Sequence, residues 1–163
     1  MKEDLPVFLD CEASSLSEIS YPIEVGFSLP DGTVQAYLIR PEWDWNDWDF
    51  NAESIHGLSR EEITREGLPA DHIARLLNEA LRGAVVYSDA PAFDGFWLER
   101  LFEASTEEMQ FRLEHFDALF PKLDANHIAA RSQLARYSVT GHQHRAAADV
   151  KFLIELYRLL RAQ

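Results

Sequence analysis

The chain has 163 residues, 28 acidic against 15 basic, for a formal net charge of −13. That length suits one domain spanning residues 1–163, and 47% apolar residues supply a sizeable core, which excludes global disorder. No apolar run approaches the ~20 residues needed to cross a bilayer. The opening MKEDLP carries acids where an export signal wants bases, so a cytoplasmic protein with no membrane association is expected, and the lone Cys11 excludes an intrachain disulfide and a cysteine zinc cage.

In chain order, Pro6 to Ala13 is short and apolar and reads as a strand. Ile23 to Leu29 and Thr33 to Ile39 flank a Pro30-Asp31-Gly32 turn and read as a hairpin. Pro41 to Phe50, PEWDWNDWDF, is biased in composition, and its Trp43 to Phe50 part reads as a loop that folds its rings onto the sheet edge and turns its acids to water. Base stacking by those rings is the other reading, but the interleaved acids would repel phosphates. Ser59 with Glu62 has the spacing of a capping box and opens a short helix. A longer helix is predicted from Ala70 to Arg82, with Ile73, Leu76, Leu77, Ala80 and Leu81 on its apolar face and Gly83 as its stop. Ala84 to Tyr87, AVVY, reads as a buried strand, and a helix follows from near Asp94. Met109 to Leu119 reads as a strand, and Pro121 opens a helix to about Tyr137. The last helix runs from about Arg145 to Arg161, with a stripe of Val150, Leu153, Ile154, Tyr157 and Leu160. Strands first and then strands alternating with helices imply an α/β sandwich on a mixed sheet.

Val7 to Ala13 carries the most chemistry. Alternate side chains of a strand share a face, so Asp10 and Glu12 point the same way, their Cα atoms roughly 6.6 Å apart at ~3.3 Å per residue. Leu9, Cys11 and Ala13 point into the core. Paired acids in an apolar strand repel each other and lose hydration, and a divalent cation relieves both. Hard carboxylate oxygens suit Mg²⁺ or Mn²⁺. The alternative is a strand end where both acids reach water, and both readings stand on this pair alone.

Two further acids fit such a site. Asp94 follows the buried strand at a helix start, and Asp149 ends HRAAAD, whose alanines let that helix approach the sheet closely. His144 and Asp149 are five residues apart, about 500° of helix or ~140° around the axis, so they cannot share a helical face. His144 therefore belongs to the loop before the helix, and Gly141 gives that loop freedom. A histidine on such a loop suits a general base; taken alone it is an exposed loop residue.

Taken together, FLDCEASSL, IHGLS, AFDGFWL and HRAAAD resemble the motifs, in order, of the histidine (DEDDh) subclass of the DEDD-type 3′–5′ exonucleases. This is the group of the polymerase III proofreading subunit, ribonuclease T and oligoribonuclease. The resemblance runs from Val7 to Leu153 and implies a ribonuclease-H-like fold. It implies that Asp10, Glu12 and Asp149 hold two Mg²⁺ or Mn²⁺ ions, that Asp94 completes the set, partly through water, and that His144 deprotonates the attacking water. It further implies that Ala13, Ser14, Ser15 and Leu16 seat the terminal nucleotide, Leu16 against the base, with His56 and Phe93 beside the substrate. For His56 the other reading is a histidine satisfying nearby backbone. The product would be a nucleoside 5′-monophosphate, cut from single-stranded DNA or RNA 3′ ends.

One stretch departs from the pattern. The family often has His-Asn-Ala before its Phe-Asp, where this chain has Asp89-Ala90-Pro91. The missing Asn removes a hydrogen-bonding support of the site, while all four acids and His144 are intact, so activity is expected. Asp89 is a minor candidate for an extra polar contact at the site rim. His72, His115, His127 and His142 fit no ligand pattern. Arg131, Arg136, Arg145 and Lys151 are the bases near the motifs, enough for two or three phosphates, so short substrates are expected unless a partner protein or a homodimer extends the track. An inactive nuclease-fold binding module and a dinucleotide phosphodiesterase are the competing readings.

Overall fold

The computed structural model describes residues 3–139 and 144–162. Three antiparallel strands open the chain: β1 (Val7–Ala13), β2 (Pro22–Ser28) and β3 (Val34–Leu38). The β2–β3 turn closes as expected, with Gly32 at φ 86° and Asp31 Oδ1 accepting the Thr33 N–H at 2.9 Å. Three helices follow: α1 (Phe50–His56), α2 (Arg60–Glu66) and α3 (Ala70–Leu81). Then come β4 (Val85–Ser88), α4 (Pro91–Glu103), β5 (Arg112–His115), a 3₁₀ turn at Phe116–Leu119, α5 (Ala125–Ser138) and α6 (Ala146–Arg161). The sheet order is β3-β2-β1-β4-β5, and β4 lies parallel to both β1 and β5. It is therefore mixed, as predicted, with helices on both faces.

The alternation of β1 divides the core. Leu9, Cys11 and Ala13 pack with Ile23, Val25 and Phe27 of β2 against α2, α3 and α4. Phe8 faces the other way and packs with Val150, Leu153 and Ile154 of α6. Asp10 and Glu12 share the Phe8 face, and Glu24, Gly26 and Ser28 of β2 share it too. The predicted close approach of α6 is real: a Cβ built on Gly26 would meet the Ala146 carbonyl carbon at 2.9 Å and its Cβ at 3.0 Å. Only glycine leaves room there for the first turn of α6.

Several elements differ from the sequence reading. The aromatic–acidic stretch ends in a helix, α1, capped by Asp49, whose Oδ1 accepts the Asn51 N–H at 2.8 Å. Trp45 is buried and stacks on Tyr21 with ring centroids 5.2 Å apart, and Trp48 packs edge-on to His56, so two rings fold inward as expected, but Trp43 is 90% exposed. Asp47 is only partly turned to water, because it accepts both the Ser14 and Ser15 hydroxyls at 2.8 and 2.5 Å. On α3 the buried face is Ile73, Ala74, Leu77, Asn78 and Leu81, and Ala80 is exposed. Asn78 turns inward to hold the Glu108 carbonyl and the Gln110 N–H at 2.8 and 2.9 Å. Those bonds occupy the backbone just before β5, and His115 caps the 3₁₀ turn of Phe116–Leu119 just after it, so the strand predicted over Met109 to Leu119 shrinks to four residues. α4 starts three residues before Asp94, since Pro91 suits a first helical position that needs no N–H. α5 starts after Asp124, whose side chain accepts the His127 N–H at 2.8 Å, rather than at Pro121. In α6, Phe152 and Leu156 join the buried stripe and Tyr157 is only half-buried. No helix among the described residues is long and apolar enough to cross a membrane. Gly141 and His142 lie outside the described residues.

Candidate functional site

The four motif acids meet at one end of the sheet. Asp10, Glu12 and Asp149 each place a carboxylate oxygen within 4.8 Å of the other two. Asp10, Asp94 and Asp89 form a second such group. β1 supplies the first two acids, and the first turn of α6 supplies Asp149. The first turns of α4 supply Asp94, which is fixed from both sides: Oδ1 accepts the Cys11 N–H at 3.1 Å and Oδ2 accepts the Ser88 hydroxyl at 2.7 Å. The β1–β2 register slips between Glu12 and Ala13, an irregularity that re-aims the strand end beside the cluster.

Asp10 keeps only 9% of its exposure, and its Oδ2 is buried without a hydrogen-bond partner. The alternative in which the strand acids simply reach water is therefore overturned for Asp10. Burial, then the neighbouring Asp94, Asp149, Glu12 and Asp89 charges, hold its carboxyl well above the usual range. Burial and a hydrogen bond with Asp149 push Glu12 up to about 9. Asp94 rises to about 7, again through burial, against the lowering effect of its Ser88 and Cys11 bonds. Asp89 is open to solvent at the rim, yet lost hydration and the Asp149 charge still raise it. Without a cation, these carboxyls keep protons at pH values where ordinary ones are bare. Hard oxygens at ~2.0–2.6 Å from one divalent cation lie up to ~4–5 Å from each other, so both groups fit such an ion.

His144 sits before α6 as expected, at φ 64°, exposed, with its N–H donating to Asp149 Oδ1 at 3.3 Å. Its side chain lines a cavity of about 330 Å³ together with Glu12, Ala13, Ser15, Leu16 and His56. Leu16 is 75% exposed and also borders a second cavity of about 280 Å³ with Phe93 and Phe96. Ser14 departs from the nucleotide-seating expectation: it is fully buried, its hydroxyl donates to Asp47, and it lines neither cavity. His56 satisfies nearby backbone, since Nδ1 accepts the Leu58 N–H at 3.0 Å, and the residue also lines the cavity.

Arg145 is engaged by an internal acid rather than left free. Its guanidinium makes three hydrogen bonds to buried Glu24, at 2.7 to 3.2 Å, and Glu24 also accepts the Ala146 N–H at 2.8 Å. Glu24 thus caps α6 from another strand and pins the turn that carries Asp149. The signal for it in the sequence was an acid amid the apolar residues of β2, which demands a cation. Lys151 faces a separate cleft with Gly32 and Val34. Arg136 lies over the Phe152 ring at 4.4 Å, close enough to Asp89 to act on its charge.

No family model and no curated protein sequence matches the chain. Solved structures do match it in shape. A zinc-bound complex of E. coli exonuclease I with single-stranded DNA superimposes with a TM-score of 0.72 over 96% of this chain, at 14% identity. The chain has a ribonuclease-H-like exonuclease fold. S. pombe Pop2p, in a form with Mg²⁺ and Mn²⁺ bound, shares that fold at a TM-score of 0.71 and 12% identity, over 96% of this chain and 82% of its own. Exonuclease I from Methylocaldum szegediense gives a TM-score of 0.70 at 17% identity. The chain covers 40% of the length of each exonuclease I, so the exonuclease fold accounts for only part of those proteins.

Proposed function

We propose that this chain is a divalent-metal-dependent 3′–5′ exonuclease of the histidine subclass, releasing nucleoside 5′-monophosphates from short single strands of DNA or RNA. The observation that carries the reading is the convergence of Asp10, Glu12, Asp94 and Asp149, around a buried, unbonded Asp10 oxygen, beside a cleft rimmed by His144. Single-stranded DNA on exonuclease I and Mg²⁺ and Mn²⁺ on Pop2p, two proteins of the same fold, support it.

Asp10, Glu12 and Asp149 would hold one Mg²⁺ or Mn²⁺, with Asp94 beside them. Bound there, such ions supply activation of a water nucleophile and charge stabilisation at the phosphoryl group. His144 accepts the proton of that water through its imidazole, which its loop position leaves free to approach and withdraw. Asp149 steers His144 by accepting its backbone N–H. Leu16, between the two cavities, separates the terminal base from the next one, and the apolar walls of Phe93 and Trp97 receive the bases. With Arg145 committed to Glu24, few cations remain to grip a long backbone. The same shortage supports a preference for dinucleotides, the second reading.

The test is digestion of matched single-stranded DNA and RNA, from two to twenty nucleotides, with product sizing in Mg²⁺, in Mn²⁺ and in excess chelator. Mononucleotide 5′-phosphates formed from the 3′ end only with metal are expected. Undiminished hydrolysis in chelator, or products other than mononucleotides, refutes it.

A further inference from the structure

We propose that Asp89 is a fifth carboxylate ligand of the site, holding with Asp94 and Asp10 a second divalent cation beside the one held by Asp10, Glu12 and Asp149. The inference rests on the metal-site reading above and assigns a residue that the motifs do not. β4 runs parallel to β1, with Val86 opposite Val7 and Tyr87 opposite Phe8. Continued two residues, that register sets Asp89 beside Asp10, strands being ~4.8 Å apart. The pleat puts it on the correct face: Tyr87 packs with Phe8 in the α6-side core, so Asp89 points with Asp10 toward Asp149, while Ser88 turns to the other side and holds Asp94.

The distances follow from that placement. Oxygens of Asp10, Asp89 and Asp94 lie within 4.8 Å of one another, the spread of three ligands on one divalent ion. A second observation points to a ligand rather than to a chance gathering of acids: Asp10, shared by both groups, is nine-tenths buried and has an oxygen with no hydrogen-bond partner. A buried carboxylate oxygen left bare amid four other acids is costly unless a cation meets it. Arg136 and His115 oppose the Asp89 charge while Asp149 adds to it, and Arg145, which acts on Glu12, is already held by Glu24. Two divalent ions bring four positive charges, close to balance. The Asp89 substitution thus supplies a ligand at the very stretch where the resembled pattern loses its Asn.

The experiment counts ions without relying on catalysis. Metal-stripped wild type, Asp89→Asn and Asp89→Ala are titrated with Mn²⁺, and free Mn²⁺ is followed by electron paramagnetic resonance. Wild type is expected to bind two ions. Both variants are expected to keep the tighter step and to weaken the other at least ~10-fold, the lower end for losing even an outer partner of a metal site. Two steps of wild-type affinity in both variants overturn the inference, and so does a wild type that binds one ion. Two ions in wild type, one in Asp89→Asn and no hydrolysis of any oligonucleotide would uphold it while refuting the exonuclease reading.

Discussion

Replacing Gly26 by Ala tests how the last helix sets the site. The new Cβ would sit 2.9 Å from the Ala146 carbonyl carbon and 3.0 Å from the Ala146 oxygen and Cβ, where carbon contacts prefer ~3.5–4.0 Å. Backbone is the obstacle, so no side chain can swing aside. The first turn of α6 must retreat by roughly 0.5–1 Å, stretching the Ala146–Glu24 bond of 2.8 Å and carrying Asp149 away from Asp10 and Glu12. Overpacking of this kind costs ~1–3 kcal/mol. At about 2–4 °C per kcal/mol for a chain of this size, Tm should fall by roughly 2–12 °C. A displacement near 1 Å should also lower turnover by about 100-fold and weaken Mn²⁺ binding. Gly95→Ala is the control, since its Cβ would meet only Leu113 Cδ2 at 3.8 Å, and the helix gains ~0.5–1 kcal/mol. Thermal unfolding in chelator, Mn²⁺ titration and oligonucleotide hydrolysis measure the three effects. A Gly26→Ala protein with wild-type Tm and Mn²⁺ affinity would show that α6 does not bear on β2 there.

Three other outcomes are expected. In chelator, stability should fall as pH rises: folded Asp94 titrates near 7 against an ordinary 3.8, and Glu12 near 9 against 4.5, so the folded state binds the extra protons. That contribution is complete below about 4 and fades as pH climbs through 7 and 9; saturating Mg²⁺ should flatten the decline, and a chelator profile that rises with pH would refute the carboxylate well. Asp10→Asn should abolish turnover yet stabilise the metal-free protein by ~0.5–2 kcal/mol, whereas His144→Ala should cut turnover ~10²–10⁴-fold with Mn²⁺ binding intact; loss of metal in the His144 variant alone would reverse these roles. Turnover should level off within a few nucleotides of length and respond weakly to salt, so rates still climbing beyond about ten nucleotides would reveal a basic track.

Much of this was legible because it is local or periodic. The two acids of β1 show in the alternation of Val7 to Ala13, and Asp149 shows beside an alanine run that permits close packing. What was hidden depends on partners distant in sequence. Arg145 looks like a free cation until Glu24, 121 residues away, claims it. α1 was masked by an aromatic and acidic stretch whose capping residue, Asp49, looks like one acid among several. β5 is shorter than its apolar pattern suggests because Asn78, on another helix, takes backbone groups before it and a 3₁₀ turn capped by His115 follows it. Asp89 was within reach: pairing Val86 with Val7 by register places it beside Asp10, but that step needs the strand order.

The Glu24–Arg145 clasp also has a consequence in time. The strand acids are made before the helix that brings Asp149, whose capping contact with Glu24 spans 122 residues of chain. Until that helix docks, Asp10 and Glu12 lie on an open sheet face, hydrated and lacking their third partner. Loop closure over such a separation is slow compared with hairpin formation, so the carboxylate cluster should assemble after the β1–β2–β3 sheet that carries two of its acids.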